Sequence, residues 1–353
     1  MNNHFSLLAR ILLFIAIATT TVCAQDAMFT LGSVTAKRGE RVAGHLEIPA
    51  GVDEGTRLPF TIFHGAKPGP TLLLVAGVHG SEYAPIIALQ RLLSQLNASK
   101  LSGTVILVHS ANPPSFFKRT IYYSPVDGKN LNRSFPGKAD GTLTERIAHT
   151  ILTQLIPRAD YVIDVHCGDG NEDLIPYLAL YTHATTPERI AHVKDLALRF
   201  GIEHIKVISG RSADPNNSVY LTNAAQLAGK YVMAVECGGL ARADEVSVTT
   251  ITTGLQNVMR RLRMLPGQTT PIKNPVYVDR DETIRTPEAG IFYPLVARGQ
   301  IVKKDALLGY VTNLHGQKVH EARAPFAGKV MFIVKTPPVS AGEPLVSIGS
   351  LQP

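Results

Sequence analysis

The sequence has no tryptophan and only three cysteines in 353 residues. One of these, Cys23, falls in an apolar N-terminal stretch; the other two, Cys167 and Cys237, are too few for a disulfide-stapled scaffold or a thiolate metal cluster. Folding must therefore rest on an apolar core. Charge is sparse as well: 18% of residues are charged against 45% hydrophobic, a balance that excludes a disordered or fibrous chain. The formal charge is +7, yet lysines and arginines are scattered, with no long basic run and no aromatic-interleaved basic strip. That argues against nucleic acid as a partner. A basic solvated surface accounts for the excess, and the sharper reading is a local positive pocket for a small anion. No G-x-S-x-G elbow occurs and Cys167 has no evident histidine of its own, which weighs against a serine or cysteine hydrolase. No solenoid-length repeat is present.

What is there begins with a leader. Arg10 precedes an apolar core from Ile11 to Ala18, and Val22-Cys23-Ala24 closes it in the manner a signal peptidase reads. Residues 1–24 are expected to be a signal peptide cleaved before Gln25, giving a periplasmic or secreted product. The core is short for a bilayer span, and Thr20-Thr21-Val22 lacks the leucine of a lipoprotein signal. No stable membrane anchor is expected after cleavage.

At this length the chain calls for one large unit and one smaller one. Short strands and turns fill Gly32 to Phe63. Then "TLLLVAG" (71–77) reads as a buried strand, "YAPIIALQRLLSQL" (83–96) as a helix and "GTVILVHSANP" (103–113) as a second strand. The alternation continues with helices over 142–156, 186–201 and 243–264 and strands over 159–168 and 231–239. The expected fold class is α/β: a mixed, mostly parallel sheet flanked by helices, followed by a smaller C-terminal all-β domain. Past "LPGQTTPIKNP" (265–275) the helical period vanishes. Two segments there resemble the halves of a biotinyl or lipoyl barrel, without a lysine at the turn that carries the cofactor, so the module reads as scaffold.

Ligands in open α/β sheets sit outside the carboxyl ends of strands, and His79, His166 and Glu236 all follow or end such strands. "VAGVHGSEYAP" sets His79 and Glu82 three residues apart in a turn that opens a helix. Two histidines and a glutamate form an established zinc set with an open position, and His166 in "VIDVHCGDG" is the candidate third ligand. Asp164, two residues earlier on the same strand face, is placed to orient it. A lone HxxE is a weak signal, and the remaining histidines lack companion motifs. The stretch "NPPSFFKRTIYYSPVDGKNLNRSFPG" (112–137) is long for a connector. Its Arg119, Asn132 and Arg133 offer a clamp for a substrate carboxylate; the alternative is a loop stapled to itself, with Arg133 paired to Asp127.

"GVHGSEYAP", that loop, "DVHCG" and "AVECGG", in this order, resemble the succinylglutamate desuccinylase/aspartoacylase family, which shares the zinc carboxypeptidase fold. The resemblance covers about Thr71 to Leu265 and extends to the C-terminal β module. It implies one zinc ion per chain on His79, Glu82 and His166, a substrate carboxylate on Asn132 and Arg133, a scissile carbonyl polarised by Arg119, and Glu236 as general base. The implied organisation is a signal peptide (1–24), a hydrolase domain (25–268) and a β-barrel-like domain (269–353). The expected activity is hydrolysis of the amide of an N-acyl amino acid or similar small acidic amide. A metallocarboxypeptidase acting on cell-wall peptides and a non-catalytic binder of an anionic ligand remain alternatives. Neighbouring strand ends also make a Cys167–Cys237 disulfide conceivable in an oxidising compartment.

Overall fold

Leu72, Leu73, Leu74, Val75 and Ala76 are all 0% exposed, and this run sets the architecture. The structure, a computed structural model, describes residues 27–351. A strand that is apolar on both sides needs cover on both sides. Alternation sends Leu72, Leu74 and Ala76 into one hydrophobic cluster and Leu73 and Val75 into another.

The strand Lys67–Ala76 lies inside a nine-stranded sheet. Ser102–Val108 and Tyr161–His166 flank it in parallel, and Tyr231–Glu236 runs parallel to Tyr161–His166. Beyond Tyr231–Glu236 the direction reverses at Tyr177–Tyr181, followed by His204–Ile208 and Val276–Val278. At the other margin Thr56–His64 and Glu40–Ile48 are antiparallel. The sheet is mixed, as expected. Val276–Val278, read from the sequence as part of the C-terminal β region, instead pairs in parallel with His204–Ile208 as an edge strand of this sheet.

Helices Tyr83–Gln95, Pro187–Phe200 and Glu245–Arg261 cover one face, and Leu143–Thr150 and Leu221–Leu227 the other. Local chemistry sets their ends. Asp244 accepts from the Ser247 N–H at 2.9 Å, and Thr142 with Glu145 forms a reciprocal cap. The helix expected over 142–156 is regular only to Thr150, then passes through a π turn (Ile151–Leu155) and a 3-10 turn (Ile156–Arg158), where Pro157 has no N–H to give.

The C-terminal strands form two small sheets around their own core, which includes Leu308, Val330 and Val346. One of these sheets takes in a strand from the larger unit: Glu172–Leu174 pairs antiparallel with Gly328–Val334. Arg298 reinforces the join, donating to the Leu174 carbonyl at 2.6 Å and pairing with Asp173 at 3.1 Å. The expected signal peptide lies outside the described residues; among those described, no helix is long and apolar enough to cross a membrane.

Candidate active site

The turn after Lys67–Ala76 is built by glycine. Gly77 has φ +67°, which disfavours a side chain, and a Cβ on Gly80 would collide with the backbone oxygen of Ser115. The turn presents His79 and places Glu82 at the N-cap of Tyr83–Gln95. Glu82 makes no side-chain cap there. Its carboxylate faces the histidines instead, with Oε1 2.7 Å from Nδ1 of His79 and Oε2 2.8 Å from Nδ1 of His166.

His166 ends the strand Tyr161–His166. One ligand atom from each of His79, Glu82 and His166 lies within 4.8 Å of the others, so the fold brings the three sequence candidates together. Further carboxylates back the imidazoles: Asp164 Oδ2 is 3.0 Å from Nε2 of His166, and Asp169 Oδ2 is 3.1 Å from Nδ1 of His79. Such outer acids orient ligating histidines. Asp169 is itself fixed by the Ser81 hydroxyl at 2.7 Å.

Burial disfavours charge on all three residues, yet proximity outweighs it. Glu82 and Asp169 raise His79 well above the ordinary histidine value, Asp164 and Glu82 do the same to His166, and the two histidines lower Glu82. Three buried carboxylates around two imidazoles leave excess negative charge once the histidines lose their protons. A divalent cation offsets it, and a His, Glu, His donor set fits zinc.

Glu236 ends the neighbouring parallel strand, in register with His166. Burial raises its pKa well above the ordinary carboxylate value, the charges of Glu82 and Glu172 add to this, and His166 opposes it. A cavity of about 250 Å³ is lined by His79, Glu82, His166, Glu236, Asn132 and Arg133. Asn132 is held by the Leu221 N–H, which donates to its Oδ1 at 3.1 Å, and its Nδ2 lies 3.4 Å from Nε2 of His166. The Arg133 guanidinium lies 4.6 Å from the centroid of the Tyr220 ring. Asp127 does not pair with it, since its carboxylate accepts from the N–H and hydroxyl of Thr144 at 2.9 and 2.7 Å.

Arg119 is not brought to the site. It is the exposed C-cap of the short helix Pro113–Lys118, in the left-handed conformation at φ +56°, and it does not line the cavity. Three residues further along the same loop Tyr122 does enter, and its hydroxyl lies 2.9 Å from Asn171 Oδ1 and 2.8 Å from Glu172 Oε1. Glu172 is raised to about 7, by burial first and then by Asp169, against the hydrogen bond from Tyr122. Sequence reasoning missed Tyr122, Asp169, Glu172 and Arg211, all of which line the cavity. Asp169 shares the "HCGDG" stretch with His166, so spacing offered a clue; Arg211 carries none. Cys167 and Cys237 stand free and buried.

A family model described as the succinylglutamate desuccinylase/aspartoacylase catalytic domain matches residues 68–262. N-alpha-acetyl-L-2,4-diaminobutyric acid deacetylase of Halomonas elongata is 31% identical over 281 residues, covering 77% of this chain and 80% of that protein. The product-bound ectoine utilization protein EutE (DoeB) from Ruegeria pomeroyi is similar with a TM-score of 0.79 at 27% identity, covering 92% of this chain and 99% of that one. A succinylglutamate desuccinylase from Silicibacter sp. TM1040 gives 0.77 at 25% identity, with 88% and 95% covered. With more than half its length matched and its strand-end site assembled, the chain belongs to the succinylglutamate desuccinylase/aspartoacylase family of amidohydrolases.

Proposed function

We propose that this chain is a zinc-dependent amidohydrolase that cleaves the amide bond of an N-acyl amino acid or a similar small carboxylate-bearing amide. The observation that carries the reading is the pairing of Glu236 with His166 at adjacent strand ends, beside the His79, Glu82 and His166 donor cluster. Zinc, when held by those three residues, supplies Lewis acidity and lowers the pKa of water towards about 7. Glu236, a carboxylate with a raised proton affinity, takes a proton from the attacking water and passes it to the departing nitrogen. The products are a carboxylate and an amine. Asn132 and the planar fork of Arg133 hold the carboxylate of the amino-acid part. Arg119, exposed and outside the cavity, has no part in this reading.

Phe332 of the C-terminal module lines the cavity, which supports a small amide over a peptide as substrate. Similarity to an acetyl-diaminobutyrate deacetylase supports the same class. The test is turnover of zinc-loaded protein against a panel of N-acyl amino acids and short peptides. Preference for peptides would identify a carboxypeptidase, and tight binding with no turnover would identify capture of an anion. We also propose export, carried by the apolar leader ahead of Gln25. N-terminal sequencing of the mature protein checks it.

A further inference from the structure

The arginine expected to polarise the scissile carbonyl lies outside the cavity, which leaves that oxygen without an assigned donor from the chain. The other cations that line the cavity are engaged. Arg133 holds the amino-acid carboxylate in the reading above, Lys206 pairs with Asp281 at 2.6 Å, and the Arg211 guanidinium lies 3.3 Å from the centroid of the Tyr220 ring. A neutral donor stands beside the donor cluster. Of the tyrosines that line the cavity, it is Tyr122 whose ring meets His79, edge to face with centroids 6.2 Å apart.

Tyr122 is held there in a disfavoured conformation. Its φ is +60°, a region that a bulky side chain rarely enters. Such outliers persist where surrounding contacts over-determine them, and they cluster at functional sites. Here the contacts fall on the hydroxyl, which lies 2.9 Å from Asn171 Oδ1 and 2.8 Å from Glu172 Oε1. Pairing with the C-terminal module fixes both partners: the Lys335 N–H donates to the Asn171 carbonyl at 2.8 Å, and Glu172 is in register with Val334. Burial, with the charges of Glu172 and Asp169, keeps the proton on the phenol. One hydroxyl proton cannot serve two oxygens at once. Burial first, then Asp169, raises Glu172 to about 7, so near neutral pH this acid carries a proton in a large share of molecules. It then donates to the phenol oxygen and leaves the tyrosine proton to the neutral amide of Asn171, an acceptor that rotation of the hydroxyl exchanges for a substrate oxygen.

We propose that Tyr122 is a catalytic residue whose hydroxyl donates a hydrogen bond to the scissile carbonyl oxygen of the bound amide, the role that Arg119 does not fill. The proposal rests on the deacylase reading above. When water adds to the carbonyl carbon, the π pair of the C=O bond moves onto that oxygen; the tyrosine keeps its proton, and its hydrogen bond strengthens with the charge. In the ground state the exchange is of one neutral amide oxygen for another, so the gain is made in the transition state.

The experiment compares zinc-loaded wild type with Tyr122→Phe, which keeps the ring against His79 and removes the hydroxyl. Hydrolysis of N-acetyl-L-alanine is measured with calorimetric binding of L-alanine and of N-(methylphosphonyl)-L-alanine, in which a tetrahedral phosphorus replaces the acetyl carbon. Tyr122→Phe is expected to lower kcat by about 10²-fold, as loss of one oxyanion donor does, with KM within about threefold. Affinity for the phosphonyl compound should fall by a similar factor, while affinity for L-alanine and zinc content stay at the wild-type level. A kcat within about threefold of wild type overturns the proposal. So does a loss of zinc that accompanies the loss of turnover, which would make Tyr122 a support for His79. If wild type hydrolyses no N-acyl amino acid, the deacylase reading fails instead, and the phosphonyl compound decides on Tyr122: weaker binding by the variant supports the donor, and unchanged affinity removes it.

Discussion

Glu236 and His166 occupy the same register position on two adjacent parallel strands, seventy residues apart in the chain. Backbone pairing thus sets the separation between the proposed base and a proposed metal ligand: the Cys237 N–H donates to the His166 carbonyl at 3.1 Å. Neither residue depends on a flexible loop for its place.

Glu236→Gln keeps the shape of the side chain and removes its ability to take a proton. Turnover is expected to fall by about 10²- to 10⁴-fold, while zinc content stays at the wild-type level because Glu236 is outside the donor cluster. Steady-state kinetics with metal analysis on the same preparation checks both. Near-normal turnover would remove Glu236 from the reaction.

Metal-free protein should show a maximum of stability in mildly acidic solution. Glu82 is lowered from the ordinary value of 4.5, so its contribution is present above that value and is lost as pH falls through its folded pKa. His79 and His166 are raised above 6.5, so theirs is full below that value and is lost as pH rises through their folded pKa values. Tm measured with chelator at stepped pH should peak between these limits and decline on both sides. Added zinc should restore stability on the alkaline side, where it replaces the lost protons. A Tm in chelator that climbs steadily to alkaline pH contradicts this.

Arg133→Lys keeps the charge and loses the planar fork. KM is expected to rise by about tenfold with a smaller change in kcat. Arg119→Ala should leave both within about twofold, because an exposed helix end away from the cavity makes no contact with substrate. A large loss in Arg119→Ala would return that residue to the site.

Gly80→Ala forces a methyl group against the Ser115 backbone. The variant is expected to lose about 1–3 kcal/mol of stability, as overpacking does, and to hold zinc more weakly because the turn carries His79 and Glu82. Denaturant midpoints and metal titration report these separately. An unchanged midpoint would show that the turn yields more easily than its packing indicates.

The sheet's central strands were legible in the sequence because a strand covered on both faces is a continuous apolar run, and "TLLLVAG" is one. His79 and Glu82 were legible as a pair because only a short turn separates them. Tyr177–Tyr181 and His204–Ile208 were not read as strands: each is five residues long, and Tyr177–Tyr181 runs antiparallel to Tyr231–Glu236, outside the strand, helix, strand rhythm. Arg119 and Tyr122 stand three residues apart in one loop, and composition favoured the arginine. Tertiary contacts decided otherwise, for Arg119 is left in solvent while the Tyr122 hydroxyl is held by Asn171 and Glu172.

By itself the sequence singled out His79, Glu82 and His166, which the fold brings together, and the central apolar runs of the sheet, since these are properties of short segments. Only the tertiary structure decided that Glu172, Arg211 and the C-terminal Phe332 share the space around those three residues. Those meetings depend on strand order and on one cross-module pairing, Glu172–Leu174 with Gly328–Val334, between segments far apart in the chain and without local pattern to announce it.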